Sequence, residues 1–539
     1  MGEQKKCEVC NASEASISCT ECEQLHYCST THKEAHWNEH KTKCRPSVIE
    51  YQDRKVGRYF VAGRDVKAGE LLFREKAIAV GPRATSYPMC LGCNKAVTDV
   101  EFLRCPGCSW PVCSSSCATT KLHKAECTIL AADKEKLGQP KNLGNSPCYD
   151  IILVLRCLIL RDSDPEAFDR LLDMASHAIR LVNDHEPYHM ATIRYIENIL
   201  KADFDSKFIH HARGAIMANC FEYSNSSGIT LRGVYPKVGR FNHSCLPNVA
   251  LSVDECDTMF ARAAVDLKAF SPLLITYTDI FIPLWERQAH IDRIHYFTCD
   301  CSRCDDPSEL GLHYSSLKCE KCSQQYMEPK TYLGETVWEC PKCQTVYPDS
   351  VIKMEYFQWV SKYDFSDTGT FIQTHPQGVR NILAGVERAF HSTHHVWVMA
   401  ALVGIRTLES DESRDSLTMR HDLWKRLLSI YDVLEPGMTS RRGVAMYELG
   451  LSLANLTSVE MKEGLLIDHF YKMHTQEALE YLQNSLDILD LEPPDSYERK
   501  WYDKALLAIK SIQQDLEAAG NKCIERVQEN SQVAEGKTP

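Results

Sequence analysis

The cysteines of this chain fall in close pairs, and the pairs recur. Residues 7–44 read Cys7-x2-Cys10, Cys19-x2-Cys22, Cys28-x3-His32 and His40-x3-Cys44. Residues 90–127 repeat the pattern as Cys90-x2-Cys93, Cys105-x2-Cys108, Cys113-x3-Cys117 and His123-x3-Cys127. In each segment eight thiolate and imidazole ligands in four pairs make two tetrahedral sites, and zinc is the default metal for such donors. The two segments are an internal repeat. Further along, Cys299-x-Cys301-x2-Cys304 supplies three thiolates, one short of a closed site, and Cys245 would complete it. Cys319-x2-Cys322 with Cys340-x2-Cys343 makes a four-cysteine ribbon. The expectation is about six zinc ions, each closed by four protein ligands and so structural, with no open position for water. In small modules such a site contributes about 10–16 kcal/mol of apparent binding free energy, enough to hold short segments folded. Cys148, Cys157, Cys220, Cys256 and Cys523 are left over as packing residues.

A length of 539 residues predicts several domains. The net charge of −12 offers no bulk positive field for a phosphate backbone. Residues 1–50 carry six Lys/Arg against eight Asp/Glu, so the first cysteine segment has no basic face by count and direct nucleic-acid binding is disfavoured. The start, MGEQKKCEVC, has no apolar leader, and the most apolar run, Ile151 to Leu160, is broken by Arg156 and too short for a bilayer. These features read as a soluble intracellular protein, cytoplasmic or nuclear, in a reducing compartment where paired cysteines bind metal.

Between the two cysteine segments, Lys55–Val80 alternates apolar and polar residues about a Lys67-Ala-Gly-Glu70 turn, which suggests a β-hairpin. From about 146 to 217 the spacing is helical, with Ile151, Ile152, Leu155, Leu158 and Ile159, then Ile179, Leu181 and Val182. From about 351 helical patterns dominate, interrupted at Pro436-Gly437 and Pro493-Pro494. After Gly520 apolar residues thin out, which predicts a flexible tail over 521–539.

Both cysteine segments resemble the MYND zinc finger, down to Tyr27-Cys28, His36-Trp37 and His40-Lys41 in the first. The resemblance implies interleaved pairing: Cys7, Cys10, Cys28 and His32 on one metal, and Cys19, Cys22, His40 and Cys44 on the other. In the repeat it implies Cys90, Cys93, Cys113 and Cys117, then Cys105, Cys108, His123 and Cys127. His32 stands where the finger usually has Cys, a replacement imidazole can make.

The most informative stretch holds Asn219-Cys-Phe, Gly233-Val-Tyr-Pro236, Arg240-Phe-Asn-His-Ser-Cys-Leu-Pro-Asn248, Ile275-Thr-Tyr277 and His295-Tyr-Phe-Thr-Cys299. In this order, with the hairpin, the inserted finger and the Cys299 triplet, it resembles the SMYD family, in which a MYND finger splits a SET domain. The second finger matches the family's own, and the first is an addition, as in arthropod SmydA-type members. The implied fold is α+β: a finger at 1–48, a β-rich SET core at 49–298 interrupted by 90–127 and a helical insert at 146–217, a post-SET zinc site and ribbon at 299–350, and a TPR-like helical bundle at 351–520.

The resemblance further implies transfer of a methyl group from S-adenosylmethionine to a protein lysine, on histone or non-histone substrates, with a role in transcriptional regulation. Substrate would enter between the SET core and the C-terminal helices of a monomer. Gly57, Arg58, Asn219, Asn242, His243 and Phe297 would hold the cofactor, Tyr277 and His295 would shape the lysine channel, and Cys245 with Cys299, Cys301 and Cys304 would bind a zinc that fixes its wall. Two positions depart from the family pattern. Tyr59 closes what is elsewhere a Gly-x-Gly loop, here Gly57-Arg58-Tyr59, and His295 stands where many members carry tyrosine. An alternative of another class is a catalytically silent SET/MYND scaffold whose fingers bind proline-containing peptides of partner proteins.

Overall fold

The computed structural model describes residues 6–13, 15–22, 25–83, 89–97, 103–133, 148–225, 227–323, 325–332, 334–363 and 376–535, with the side chains of 148 and 518–535 excepted. Cys148 and Cys523 therefore lie outside the described side chains. The chain divides into two units, Met1–Tyr277 with His290–Thr298 and Pro493–Tyr497, and Thr278–Ala289 with Cys299–Glu492 and Glu498–Pro539.

In the first unit short sheets carry the polar loops. Val48–Asp53 pairs antiparallel with Gly57–Ala62. Leu71–Lys76 pairs instead with Thr258–Ala263, whose other neighbour is Val249–Val253. The hairpin expected about Lys67–Glu70 is thus corrected. The turn forms, with the Glu70 amide donating to the Lys67 carbonyl at 3.0 Å. The strands on either side of it enter different sheets: Gly57–Ala62 already pairs with the neighbouring Val48–Asp53, and Leu71–Lys76 takes its partner far along the chain at Thr258–Ala263. Thr230–Val234 lies between Ala79–Pro82 and Cys220–Ser224, and Asn242–His243 runs parallel to Leu274–Ile275.

Phe60, Phe73 and Phe241 centre one core of this unit, the last two stacked with ring centroids 5.4 Å apart. A second core surrounds the helix Cys148–Ser163, whose residues from Ile151 to Leu155 are buried on every face. A Cβ on Gly81 would stand 3.0 Å from that of Leu153, so the strand can lie against this helix only because position 81 has no side chain. The helical insert continues as Pro165–Leu172, Ala178–Asn183, Pro187–Arg194 and Ser206–Asn219. Leu181 is buried as its spacing predicts, but Ile179 is 79% exposed and faces solvent. Among the leftover cysteines Cys157 is buried and Cys220 half-buried against this core, whereas Cys256 is exposed in the turn before Thr258–Ala263 and is not part of this core.

In the second unit Glu328–Tyr332, Glu335–Glu339 and Val346–Pro348 form a small sheet. Helices follow at Asp349–Tyr363, Pro376–Ala389, His395–Thr407, Arg414–Leu434, Ser440–Lys462, Asp468–Leu489 and Arg499–Glu535. The last backbone helix runs into the segment expected as a tail. Among the described residues no helix is long and apolar enough to cross a membrane. The fold is the mixed α+β arrangement with a helical C-terminal region.

Arg156, the charge that interrupts the most apolar run, has a structural purpose. Its guanidinium donates to both oxygens of Glu126 at 2.8 and 2.9 Å and to the Val80 and Leu91 carbonyls at 2.6 and 2.8 Å. Glu126 lies on the helix Lys121–Leu130 of the second cysteine segment, and its carboxylate also meets His123 Nδ1 at 3.3 Å. One buried ion pair thus ties the inserted segment to a strand and a helix of the core. Replacing Arg156 with Ala strands a buried carboxylate, and the expected cost in urea unfolding is about 3–5 kcal/mol. Because Glu126 orients His123, the same variant should release zinc from that segment about 10–100-fold more readily in a chelator titration.

Candidate functional site

The metal-site residues are positioned by short local structures. Ser29 caps the helix Thr30–Lys43 by accepting from the His32 amide at 3.2 Å, so His32 and His40 are fixed on one helix. His32 Nδ1 lies 3.5 Å from Cys7 Sγ and 3.2 Å from Cys28 Sγ, and Cys10 Sγ lies 3.6 Å from Cys28 Sγ. His40 Nε2 stands 3.2 and 3.4 Å from Cys19 and Cys22, and Cys19 stands 4.0 Å from Cys44. In the second segment the distances are 3.6 Å for Cys93–Cys113, 3.3 Å for Cys113–Cys117, 3.6 Å for Cys105–Cys127 and 3.5 Å for Cys108–His123. In each of these four sets the ligand atoms all lie within 4.8 Å of one another. Ligands about 2.3 Å from a common zinc stand about 3.8 Å apart, so the spacing and the donor chemistry fit the metal. The four quartets are the interleaved ones that the finger resemblance implies.

In the second unit Cys319–Cys343 and Cys322–Cys340 stand 3.5 and 3.7 Å apart. The triplet segment is held by Gln288, whose amide oxygen accepts from the Cys299 amide at 3.1 Å and whose nitrogen donates to the Cys299 carbonyl at 2.8 Å. Arg287 Nη2 lies 3.8 Å from Cys304 Sγ, and Cys301 precedes the short helix Ser302–Asp305. Cys245 is fully buried in the first unit.

The first unit also contains a polar cavity of about 250 Å³ lined by Gly57, Arg58, Asn219, Asn242, Tyr277, His295 and Phe297. These are residues from strand ends, a helix end and a loop, drawn from across more than two hundred positions of sequence. Asn219 ends the helix Ser206–Asn219; its amide nitrogen donates to the Ala175 carbonyl at 2.6 Å. Gly57 has φ +75, with nothing within 4 Å of where a Cβ would stand, so backbone and ligand can approach there.

The Asn-His-Ser-Cys-x-Pro-Asn loop divides its labour. Asn248 is structural: its side chain accepts from the Leu274 amide and donates to the Pro272 carbonyl, both at 2.8 Å. Among the described residues the Asn242 side chain makes one long 3.5 Å contact, to the Val56 carbonyl, and it lines the cavity. His243 stands behind the wall; its Nδ1 accepts from the Tyr277 amide at 3.0 Å. The proton is therefore on Nε2, which faces Cys245 Sγ at 3.3 Å.

Tyr277 donates its hydroxyl to the Phe241 carbonyl at 2.5 Å, and its ring lies 4.5 Å from that of His295. Burial raises the Tyr277 pKa. Burial first, then the fields of His290, His243 and His177, pushes His295 down to about 3, so it is a neutral imidazole at neutral pH. Tyr296, at φ +60, turns its ring away onto His177 and under the Arg180 guanidinium.

Tyr59 is directly opposite Tyr51 in the strand pair, and their rings meet at 6.1 Å. Alternation along the strand turns Arg58 and Tyr59 to opposite faces. The phenol is not part of the cavity lining, so the departure from Gly-x-Gly leaves the space open.

Sequence reading missed Asp173, His177 and Arg240 as members of this wall. Asp173 Oδ2 accepts from Arg58 at 2.6 Å and from Arg240 at 3.0 Å, while Arg240 also reaches Glu50 at 2.6 Å. The Arg58 hydrogen bond holds the Asp173 carboxyl below its usual pKa. No local motif marks Asp173, which follows the helix Pro165–Leu172 as its C-terminal cap.

Fold and site together define a zinc-finger protein with a polar cavity in a mixed α+β unit. Residues 7–44 match the family model of the MYND finger. The chain is 28% identical over 317 residues to the SET domain-containing protein SmydA-8, isoform A, of Drosophila melanogaster, covering 56% of this chain and 66% of that protein. It is 26% identical over 280 residues to the N-lysine methyltransferase SMYD2-B of Xenopus laevis, and 25% identical over 281 residues to the human histone-lysine N-methyltransferase SMYD3. Each of these two alignments covers 48% of this chain and 61% of the relative. The chain thus spans just under two thirds of the length of these curated relatives. The solved structure of Rubisco LSMT bound to AdoMet aligns with 80% of this chain and 93% of its own at 10% identity, but its TM-score of 0.26 carries no weight. The similarity to SMYD proteins that the motifs suggested is borne out.

Elemental analysis of zinc-replete protein should find about six zinc ions per chain, and fewer than five would break the assignment of sites. Cys113→Ser should remove about one equivalent and leave the remainder bound.

Proposed function

We propose that the chain is an S-adenosylmethionine-dependent protein-lysine methyltransferase, acting in the cytoplasm or nucleus on a histone or non-histone lysine. The observation that carries this reading is the convergence of Gly57, Arg58, Asn219, Asn242, Tyr277, His295 and Phe297 on one cavity. The curated relatives named methyltransferases support it.

When bound, the cofactor supplies a methyl group already activated on a sulfonium. The chain's task is then geometry and electrostatics rather than strong acid-base work. Asn219 and Asn242 would hold the cofactor by hydrogen bonds, Gly57 and Arg58 would border it, and Phe297, 39% exposed, offers a ring face. His243 acts at one remove, fixing the Tyr277 backbone through Nδ1. Tyr277, anchored on the Phe241 carbonyl, shapes the lysine channel. His295 serves as a neutral hydrogen-bond acceptor: an imidazole held near 3 seldom takes a proton from a lysine ammonium of ordinary pKa about 10.4. Cys299, Cys301 and Cys304 would contribute thiolates to a zinc site of the second unit.

A second reading, a scaffold for proline-containing peptides, is favoured by the first finger alone. Trp37 is 40% exposed there and meets the His40 ring edge-on at 5.9 Å, which offers an aromatic surface. The readings make different predictions. At a hundredfold excess over its Kd the cofactor should stabilise the protein by about 2.7 kcal/mol, a rise of several degrees in Tm that Asn242→Ala abolishes. Absence of any shift at saturating cofactor would leave the scaffold. Tyr277→Phe should keep the cofactor shift and lower kcat for lysine methylation by about tenfold or more, read by transfer of labelled methyl to a protein substrate.

A further inference from the structure

The first unit holds another cavity, of about 920 Å³, adjoining the polar one through Pro236 and Arg240. Basic side chains converge on it from four places in the sequence: Arg74 and Lys76 of the strand Leu71–Lys76, Lys121 of the second finger's helix, Arg170 of the helix Pro165–Leu172, and Lys237 and Arg240. We propose that this cleft binds an acidic segment of a partner protein.

Three acids also line the cleft, and each is already engaged. Glu50 is paired with Arg240 at 2.6 Å. Asp164 accepts the Ala167 amide at 3.0 Å as the cap of its helix. Glu75 accepts from the Lys237 amide at 2.9 Å and the Val238 amide at 2.8 Å. Burial raises the Glu75 pKa, and its carboxylate oxygens are turned onto these amides. By contrast, Arg74 and Lys121 make no ion pair among the described residues. Arg170 acts on Glu75 through its field without pairing with it. Lys237 holds its ammonium 4.0 Å over the Phe73 ring. The cleft therefore keeps an unbalanced positive charge in a chain whose net charge is −12.

The shape and the charge balance favour a peptide over a nucleic acid. Two guanidinium forks suit carboxylates, and Ala77, Ile78, Ala167 and Pro236 give apolar wall between the charges. A short acidic peptide senses only the concave cleft. A long phosphate backbone runs past it onto the rest of an acidic protein and is repelled there.

The test is fluorescence anisotropy of the full zinc-replete chain with a labelled hexaglutamate peptide, and with a labelled single-stranded oligonucleotide of equal formal charge. The peptide should bind saturably, more weakly as salt rises from about 50 to about 200 mM. Arg74→Glu combined with Arg170→Glu should weaken binding by about tenfold or more, and Lys510→Glu on the exposed last helix should change it less than about twofold. The milder pair Arg74→Gln and Arg170→Gln should also weaken it, with zinc content and Tm unchanged. No saturable peptide binding at low salt, or binding indifferent to both double variants, overturns the proposal. Tighter binding of the oligonucleotide at equal charge overturns it in favour of nucleic acid.

Discussion

Thiolates and imidazoles brought within about 4 Å of one another are not a stable arrangement without a cation, because like charges repel and each group loses water. That constraint orders much of this chain. The two finger segments have little apolar content of their own: the first buries only a handful of apolar residues beside its cysteines. Their shape follows from the need to bring Cys28 and His32 to Cys7 and Cys10 while His40 and Cys44 reach Cys19 and Cys22. The second segment has a further tie, since the carboxylate that orients its ligand His123 is the one that Arg156 holds in the core. Metal binding and core packing are thus coupled through one buried ion pair.

The polar cavity depends on a different kind of order. The parallel pair Asn242–His243 with Leu274–Ile275 is only two residues long on each side, and the loop beyond it is held by Asn248 rather than by strand length. With the backbone fixed there, Asn242 faces the cavity, His243 supports Tyr277 from behind, and Tyr277 and His295 come into ring contact. Arg58, Asp173 and Arg240 complete the wall as a charge triad from three separate segments.

Legibility varied with the range of the interaction. Ligand pairs separated by two or three residues are imposed by local geometry, and the sequence displays them openly. The helices at 148–163 and in the C-terminal region are likewise local, written in the spacing of residues such as Ile151, Leu155 and Leu158. Strand partnership is not local. The alternation between 55 and 80 marked both strands and their turn correctly and still suggested the wrong pairing, since Leu71–Lys76 takes its partner at 258–263. Ile179 fitted the helical spacing and faces solvent, because a six-residue helix cannot bury every apolar residue it carries. Asp173 carried no motif at all.

By itself the sequence displayed the close cysteine and histidine pairs, the repeat of the fingers, the helical regions and, through the order of its motifs, part of the set of residues that lines the polar cavity. Only the tertiary structure decided where Tyr59 points, what Arg156 is for, and which basic residues share a cleft. A ligand spacing is fixed by bond lengths along a short piece of chain. The side a phenol turns to, or the carboxylate a guanidinium finds, is fixed by strands and helices that meet from far apart in the sequence.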